Sequence, residues 1–290
     1  DKYNVISEAQ YGFQKNKSCE AALLNIKHEL ITNIKHRLYP LGLFIDFRKA
    51  IDSVCHEVLT AKLSKYGVRG VVLELMKAYL TNRHQYVCIN KRASTYLNIK
   101  RGVPQGSILG PLLFIIYIND LCDIPCSPKL IMYADGTTIF FSGTSIPELE
   151  HQVNNYLRKL SAYLSLNKLQ LNVSKTKYID FAPPNNLRNY SSTVLFEGKE
   201  IEQVTSQKFL GVWFSEGLTW NTHIEKLTVE LSKTVGCLYK LSPVLPKSLQ
   251  IELYYALFYS KMTYGILVWG TTKQRNYQKL LVLQKSFASI

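Results

Sequence analysis

Tyr133-Ala134-Asp135-Gly136, an acidic turn held between the apolar runs Leu130-Ile131-Met132 and Ile139-Phe140-Phe141, constrains this chain more than any other segment. An Asp-Gly pair flanked in this way predicts a β-hairpin, with Asp135 and Gly136 as central turn residues that both need positive φ. Such a hairpin presents one carboxylate at the end of two paired strands. Upstream, Leu43-Phe44-Ile45-Asp46-Phe47-Arg48-Lys49-Ala50-Ile51-Asp52 delivers a second carboxylate from an apolar run and then turns helix-like. Between the two lies Arg101-Gly102-Val103-Pro104-Gln105-Gly106-Ser107-Ile108-Leu109-Gly110-Pro111, followed by an apolar stretch.

Periodicity orders the rest. Ala21 to Leu38 reads as a helix with Leu23, Ile26, Leu30 and Ile34 on one face, ended by Pro40, and Leu41 to Asp46 as a buried strand. Val58 to Tyr66 continues as a helix closed by Gly67, and Val71 to Leu80 as another. Tyr86 to Ile89 and Tyr96 to Ile99 read as two strands. Pro111 fits only the first turn of a helix, which therefore starts near Gly110. Ser145, with Glu148 three residues on, opens a long helix to about Leu166. Tyr178 to Phe181, Val194 to Phe196 and Gln207 to Phe214 read as strands, Pro183-Pro184-Asn185-Asn186 as a loop, and the remainder as helices. The class is α+β.

A length of 290 residues and 47% hydrophobic content describe a globular chain with ample core. The longest apolar run, Ile108 to Ile118, is interrupted by Gly110 and Pro111 and falls short of the roughly 20 residues that cross a bilayer. The start of the chain carries no secretory pattern, which predicts an intracellular, non-secreted protein without a membrane partner. Six scattered cysteines make neither a disulfide frame nor a zinc pattern; Cys122 and Cys126 lack a second ligand pair. The excess of 35 Lys and Arg over 21 Asp and Glu, a formal charge of +14, suits either a polyanionic partner or general solubility.

The segments around Asp46, Gln105 and Asp135 resemble, in this order, motifs A, B and C of the reverse transcriptase of non-LTR (LINE-type) retrotransposons. Further matches run from Gln10 to Lys285. The resemblance implies a right-hand polymerase with a mixed-sheet palm flanked by helices, partial fingers and a helical thumb. Its expected divisions are partial fingers at 1–39, palm at 40–66, fingers at 67–100, palm again at 101–215, and thumb at 216–290. Because the family's earlier fingers segment and later domains are not seen, the chain reads as partial at both ends.

The implied chemistry is nucleotidyl transfer with two Mg²⁺ ions, Mn²⁺ being the alternative, held by Asp46 and Asp135. The implied partners are an RNA template, a DNA primer and deoxynucleoside triphosphates. At Gly136 the chain departs from the pattern, which has a second aspartate there. Losing that carboxylate predicts an impaired copy, and the alternative is a catalytically dead nucleic-acid-binding relic. Gln10-Tyr11-Gly12-Phe13-Gln14 is similar to the family's Gln-x-Gly-Phe-Arg; with Gln14 at the arginine position, Lys15 and Lys17 either supply charge to the triphosphate or belong to a solvated loop. Gln105 and Gly106 would approach template and nucleotide. Ile51 stands where the family usually has a Phe under the deoxyribose. Lys175 matches the motif D lysine beside the leaving pyrophosphate, or is a surface lysine. Leu210 and Gly211 fall in the primer-grip segment. Lys226, Lys233 and Lys240 recur beside the stripe Leu227, Leu231 and Leu238, which suits either a thumb gripping phosphates or a solvated face. A telomerase-like polymerase is disfavoured, since no dedicated RNA-binding segment is visible.

Overall fold

The structure is a computed structural model that describes residues 5–125, 128–182 and 192–288. The expected loop at Pro183 to Asn186 and the Cys126 of the C-x₃-C pair lie outside them. In chain order the elements are α1 (Cys19–Lys35), β1 (Tyr39–Ile45), α2 (His56–Lys65), α3 (Gly70–Leu80), β2 (His84–Gln85), β3 (Cys88–Ile89), β4 (Arg92–Ala93), β5 (Leu97–Asn98) and α4 (Leu109–Tyr117). There follow β6 (Lys129–Tyr133), β7 (Gly136–Gly143), α5 (Ile146–Leu166), β8 (Lys177–Asp180), β9 (Leu195–Phe196), β10 (Lys199–Glu200), β11 (Glu202–Gln203), β12 (Ser206–Phe209) and β13 (Val212–Ser215). The chain closes with α6 (Asn221–Leu241), α7 (Lys247–Leu253), α8 (Ser260–Thr263), α9 (Ile266–Trp269) and α10 (Gln274–Ala288).

Five strands form the central sheet in the order β11-β8-β1-β7-β6, with β11 parallel to β8 and the other pairs antiparallel. Strand residues alternate between faces, and here both faces are covered. Leu41, Leu43, Ile45, Met132, Ile139 and Phe141 pack into one core with α2, α4 and α5. Phe44, Ile131, Phe140 and Ile179 pack into the other with α1, β12, β13 and α6. This two-sided burial is why these strands are apolar runs without polar alternation. Ser18 caps α1 by accepting from Ala21 N, and Ser145 caps α5 by accepting from Glu148 N. Glu148 itself reaches back to Thr144 N at 2.9 Å.

Four expectations are corrected. The first helix ends at Lys35, where Arg37 turns to φ 59°, and Pro40 lies inside β1; near the strand end its missing N–H is tolerated. The segment Gln207 to Phe214 is two strands, joined through Leu210 and Gly211 at φ 43° and 81°. The strands expected at 86–89 and 96–99 are short ladders, β2 with β5 and β3 with β4, because Ser94 breaks the register. The fourth correction concerns the Asp135 hairpin and is described with the site.

Candidate active site at the strand ends

Asp46 follows the last residue pair of β1 and β7, Ile45 with Thr137. A segment distant in sequence fixes it. Asn172 N donates to Asp46 O at 2.8 Å, Asp46 N donates to Thr176 Oγ1 at 3.2 Å, and Asn172 Nδ2 donates to the carboxylate Oδ2 at 3.0 Å. Asn172 is held in turn by Ser174 Oγ at 2.8 Å and, through its carbonyl, by Thr176 N at 2.8 Å. The Asp46 side chain therefore has a fixed donor on one oxygen and leaves the other clear of that contact. Sequence reasoning singled out neither Asn172 nor Thr176. The only local trace is Asn-x-Ser, which favours an Asx turn.

Asp135 is exposed on the turn between β6 and β7, whose closing pair is Tyr133 with Gly136. The central residues are thus Ala134 and Asp135, one position earlier than the sequence predicts, with φ 54° at Ala134. Gly136 begins β7 and has no left-handed backbone. The reason lies in the N-terminal segment, which runs alongside β6: Tyr11 N donates to Met132 O at 2.7 Å and Met132 N to Ala9 O at 2.8 Å. The buried Gln10 Oε1 accepts from both Gly12 N at 2.8 Å and Ala134 N at 3.1 Å. Gly12 must be glycine for this approach, because a Cβ there would lie 2.5 Å from Ala134 N.

The loop Gly102 to Gly106 docks on the 3₁₀ turn Ile51–Ser53 that follows Asp46, with Gly102 N donating to Val54 O at 2.8 Å and Val103 N to Ile51 O at 3.2 Å. Ile51 is half-buried against the first core. Gln105 is exposed and donates from Nε2 to Asp52 Oδ1 at 2.8 Å, and Gly106 takes φ 77° in open space. The 102–106 loop is therefore tied to the turn that follows Asp46, through Ile51, Asp52 and Val54.

The turn Leu210-Gly211 joins the group from the other side. Phe209, which precedes it, stands 6.2 Å from Phe44 and would meet a Cβ on Gly136 at 3.6 Å. Tyr264, from the C-terminal helical part, donates its hydroxyl to Leu210 O at 2.8 Å and lies against Gly211. Burial and the neighbouring Cys19 push the Tyr264 phenol up to about 12, and a hydrogen bond with the same thiol, with burial, pushes Tyr133 up as well. Tyr264 is a residue that sequence reasoning missed.

Other expected residues stand differently. Lys17 donates to Glu8 O at 2.6 Å and Gln10 O at 3.0 Å and sits over the Tyr11 ring; burial lowers its pKa. Gln14 donates to Gln10 O at 2.8 Å, so both side chains tie their own loop together. Lys15 and Lys175 are exposed. Along α6, Leu227, Leu231 and Leu238 are buried while Lys226, Lys233 and Lys240 face solvent, Lys226 lying 5.7 Å from the Trp213 ring centre.

Among the described residues no group of three or more His, Cys, Asp or Glu side chains gathers to hold an ion. Asp46 and Asp135 are two hard oxygen donors at neighbouring strand ends. Two suffice for Mg²⁺ where substrate phosphates complete its shell, so the donor set fits an ion that arrives with its nucleotide.

Residues 1–214 match the family described as Reverse transcriptase (RNA-dependent DNA polymerase). The chain belongs to that family. Its relatives include the probable RNA-directed DNA polymerase from transposon BS of Drosophila melanogaster, 26% identical over 97% of this chain and 32% of that protein. The RNA-directed DNA polymerase from mobile element jockey of the same organism is 24% identical over 98% of this chain and 32% of that protein. The chain thus spans about a third of the length of the curated relatives it matches. Among solved structures, telomerase from Candida albicans in complex with a fragment of telomeric RNA aligns with a TM-score of 0.51 at 12% identity, over 96% of this chain and 52% of that chain. That likeness is one of fold: a right-hand polymerase. Reverse transcriptases generally use divalent metals. Among the described residues no helix is long and apolar enough to cross a membrane.

Proposed function

We propose that this chain is the RNA-directed DNA polymerase domain of a non-LTR retrotransposon, extending a DNA primer on an RNA template from deoxynucleoside triphosphates. The observation that carries the reading is that Asp46 and Asp135 lie at the ends of paired strands, with Asp46 bonded to Asn172 and the Asp135 turn tied at Ala134 to Gln10. Asp46 and Asp135 are the residues that would hold Mg²⁺, and two such ions would supply the positive charge that activates a primer 3′-hydroxyl and offsets a leaving pyrophosphate. Gln105 and Gly106 border the template and nucleotide, and Ile51 lies under the sugar, where an aliphatic side chain discriminates ribose less well than a flat ring. Leu210 and Gly211 hold the primer end. Lys15 serves the triphosphate and Lys175 the pyrophosphate, while Lys17 acts through the loop it ties. Lys226, Lys233 and Lys240 face the phosphate backbone. The fingers are residues 1–39 and 67–100, the palm 40–66 and 101–215, and the thumb 216–290.

Gly136 favours a second reading, a nucleic-acid-binding relic that keeps the fold and the charge without the chemistry. Primer extension on an RNA template with Mg²⁺, run beside Asp46→Ala and Gly136→Asp, separates the two. Extension by the natural chain that Asp46→Ala abolishes supports the polymerase. Extension only by Gly136→Asp identifies an inactivated polymerase, and extension that survives Asp46→Ala refutes the site.

A further inference from the structure

The segment from Arg83 to Arg101 forms a β-ribbon that nothing among the described residues covers. His84 pairs with Asn98 and Gln85 with Leu97, and beyond the Ser94 break Cys88 pairs with Ala93 and Ile89 with Arg92. Every residue from His84 to Asn98 is exposed, so both faces of the ribbon meet solvent. A two-stranded ribbon in that position is marginal alone and gains from a partner. Its large side chains are chemically divided. Tyr86 and Tyr96 stand across the strands with ring centres 4.8 Å apart, 49% and 69% exposed. At the tip, Asn90 and Lys91 turn at φ 48° and 65°, with Arg92 beside them, while Lys100 and Arg101 stand exposed at the base. From Leu75 to Asn119 the sequence holds six Lys or Arg and no Asp or Glu.

A second copy of the chain is a poor occupant, because it would bring two acid-free basic ribbons together. A nucleic-acid strand answers both features. Phosphates release counterions to the basic residues, and unpaired bases stack on exposed aromatic rings, which duplex bases, already stacked, do not need. The ribbon also leads directly into the loop carrying Gln105 and Gly106, which docks on the turn at Ile51 to Val54 that follows Asp46.

We propose that the 83–101 ribbon is a platform for single-stranded nucleic acid, with Tyr86 and Tyr96 stacking on bases and Lys91, Arg92, Lys100 and Arg101 meeting phosphates. This deepens the polymerase reading and rests on it for the identity of the strand, an unpaired template. The test is fluorescence anisotropy with a labelled unstructured oligoribonucleotide and with a blunt duplex of equal length, alongside primer extension. The Tyr86→Ala/Tyr96→Ala variant is expected to bind the single strand at least about tenfold more weakly, with duplex binding unchanged and Tyr86→Phe/Tyr96→Phe retaining affinity. Lys91→Gln/Arg92→Gln should flatten the salt dependence of single-strand binding by a slope of about 1.4. Single-strand affinity unchanged in the double alanine variant overturns the proposal, as does an equal loss for strand and duplex. So does a dimer in sedimentation that the alanine variant dissociates. Each of these leaves primer extension free to stand, whereas a chain that binds strands through the ribbon without extending any primer refutes only the polymerase reading.

Discussion

Replacing Gly12 by alanine probes the strap that positions the Asp135 hairpin. The added Cβ would lie 2.5 Å from Ala134 N, 3.1 Å from Gln10 Oε1 and 3.2 Å from Tyr133 C. Two of these are backbone atoms that cannot rotate away, so the two segments must separate by roughly an ångström, the shortfall from ordinary contact distance. That movement strains the bonds Tyr11 N to Met132 O at 2.7 Å and Ala134 N to Gln10 Oε1 at 3.1 Å. Overpacking costs about 1–3 kcal/mol, and each weakened hydrogen bond costs up to about 1 kcal/mol. Restricting the unfolded chain returns about 0.5 kcal/mol. The expected loss is therefore about 2–4 kcal/mol, read by urea unfolding as a midpoint lowered by about 1 M for a slope near 3 kcal/mol/M. Gly236→Ala is the matched control. It lies on α6 with nothing within 4 Å of an added Cβ, so it should stabilise by about 0.5–1 kcal/mol. If both variants shift the midpoint alike, the close approach is not what keeps position 12 as glycine.

Asn172→Ala removes the donor 3.0 Å from the Asp46 carboxylate while the backbone clamp stays, so turnover in primer extension should fall about 10- to 100-fold with folding little changed. Where the natural chain is silent, the measurement belongs in the Gly136→Asp background, and an unaltered rate would remove Asn172 from the site. Gly136→Asp itself should fold within about 1 kcal/mol of the parent, since position 136 has no left-handed backbone and its Cβ would stand 3.3 Å from Tyr133 O; a larger loss in the melting curve counts against that placement. Burial lowers the pKa of His223 to about 4, so the unfolded chain binds the extra proton and stability should drop by about 3 kcal/mol as pH falls from about 6.5 to 4. His223→Phe should flatten that stretch of a denaturant-midpoint profile. Burial raises the Asp180 carboxyl to about 6, so the fold binds the extra proton and stability should fall as pH rises from about 4 to 6. Asp180→Asn should remove that opposing slope, and profiles parallel to the parent would contradict either assignment.

What could be read in advance follows the range of the forces involved. The buried leucine stripe of α6, the Ser145 cap and the start of α4 at Leu109 depend on residues within a turn or two, and the sequence pattern located each. The shift of the Asp135 turn could not be read, because it depends on Gln10, 124 residues away from Ala134. Asn172 is equally remote from Asp46, at 126 residues. The Phe209 to Val212 hairpin hid behind Leu210, an apolar residue at positive φ where turn chemistry favours Asn or Gly. Gln14 and Lys17 have side chains that the sequence alone would send outward, yet they bind carbonyls of their own loop.

Strand alternation gives the departure at Gly136 a definite place. Leu41, Leu43 and Ile45 point into the first core and Phe44 into the second, so Asp46 comes next on the Phe44 face. One step past the pair Ile45 with Thr137, that register sets Asp46 opposite Gly136, not opposite Asp135. The same face carries Phe209, which touches the space above Gly136 and leads into Leu210-Gly211. Position 136 is therefore where a carboxylate would stand directly across from Asp46, between it and the expected primer-holding turn. Two like charges so close repel one another unless cations lie between them. With glycine there that repulsion is absent, nothing special is asked of the backbone, and on the polymerase reading proposed above Asp46 and Asp135 alone would have to hold the ions.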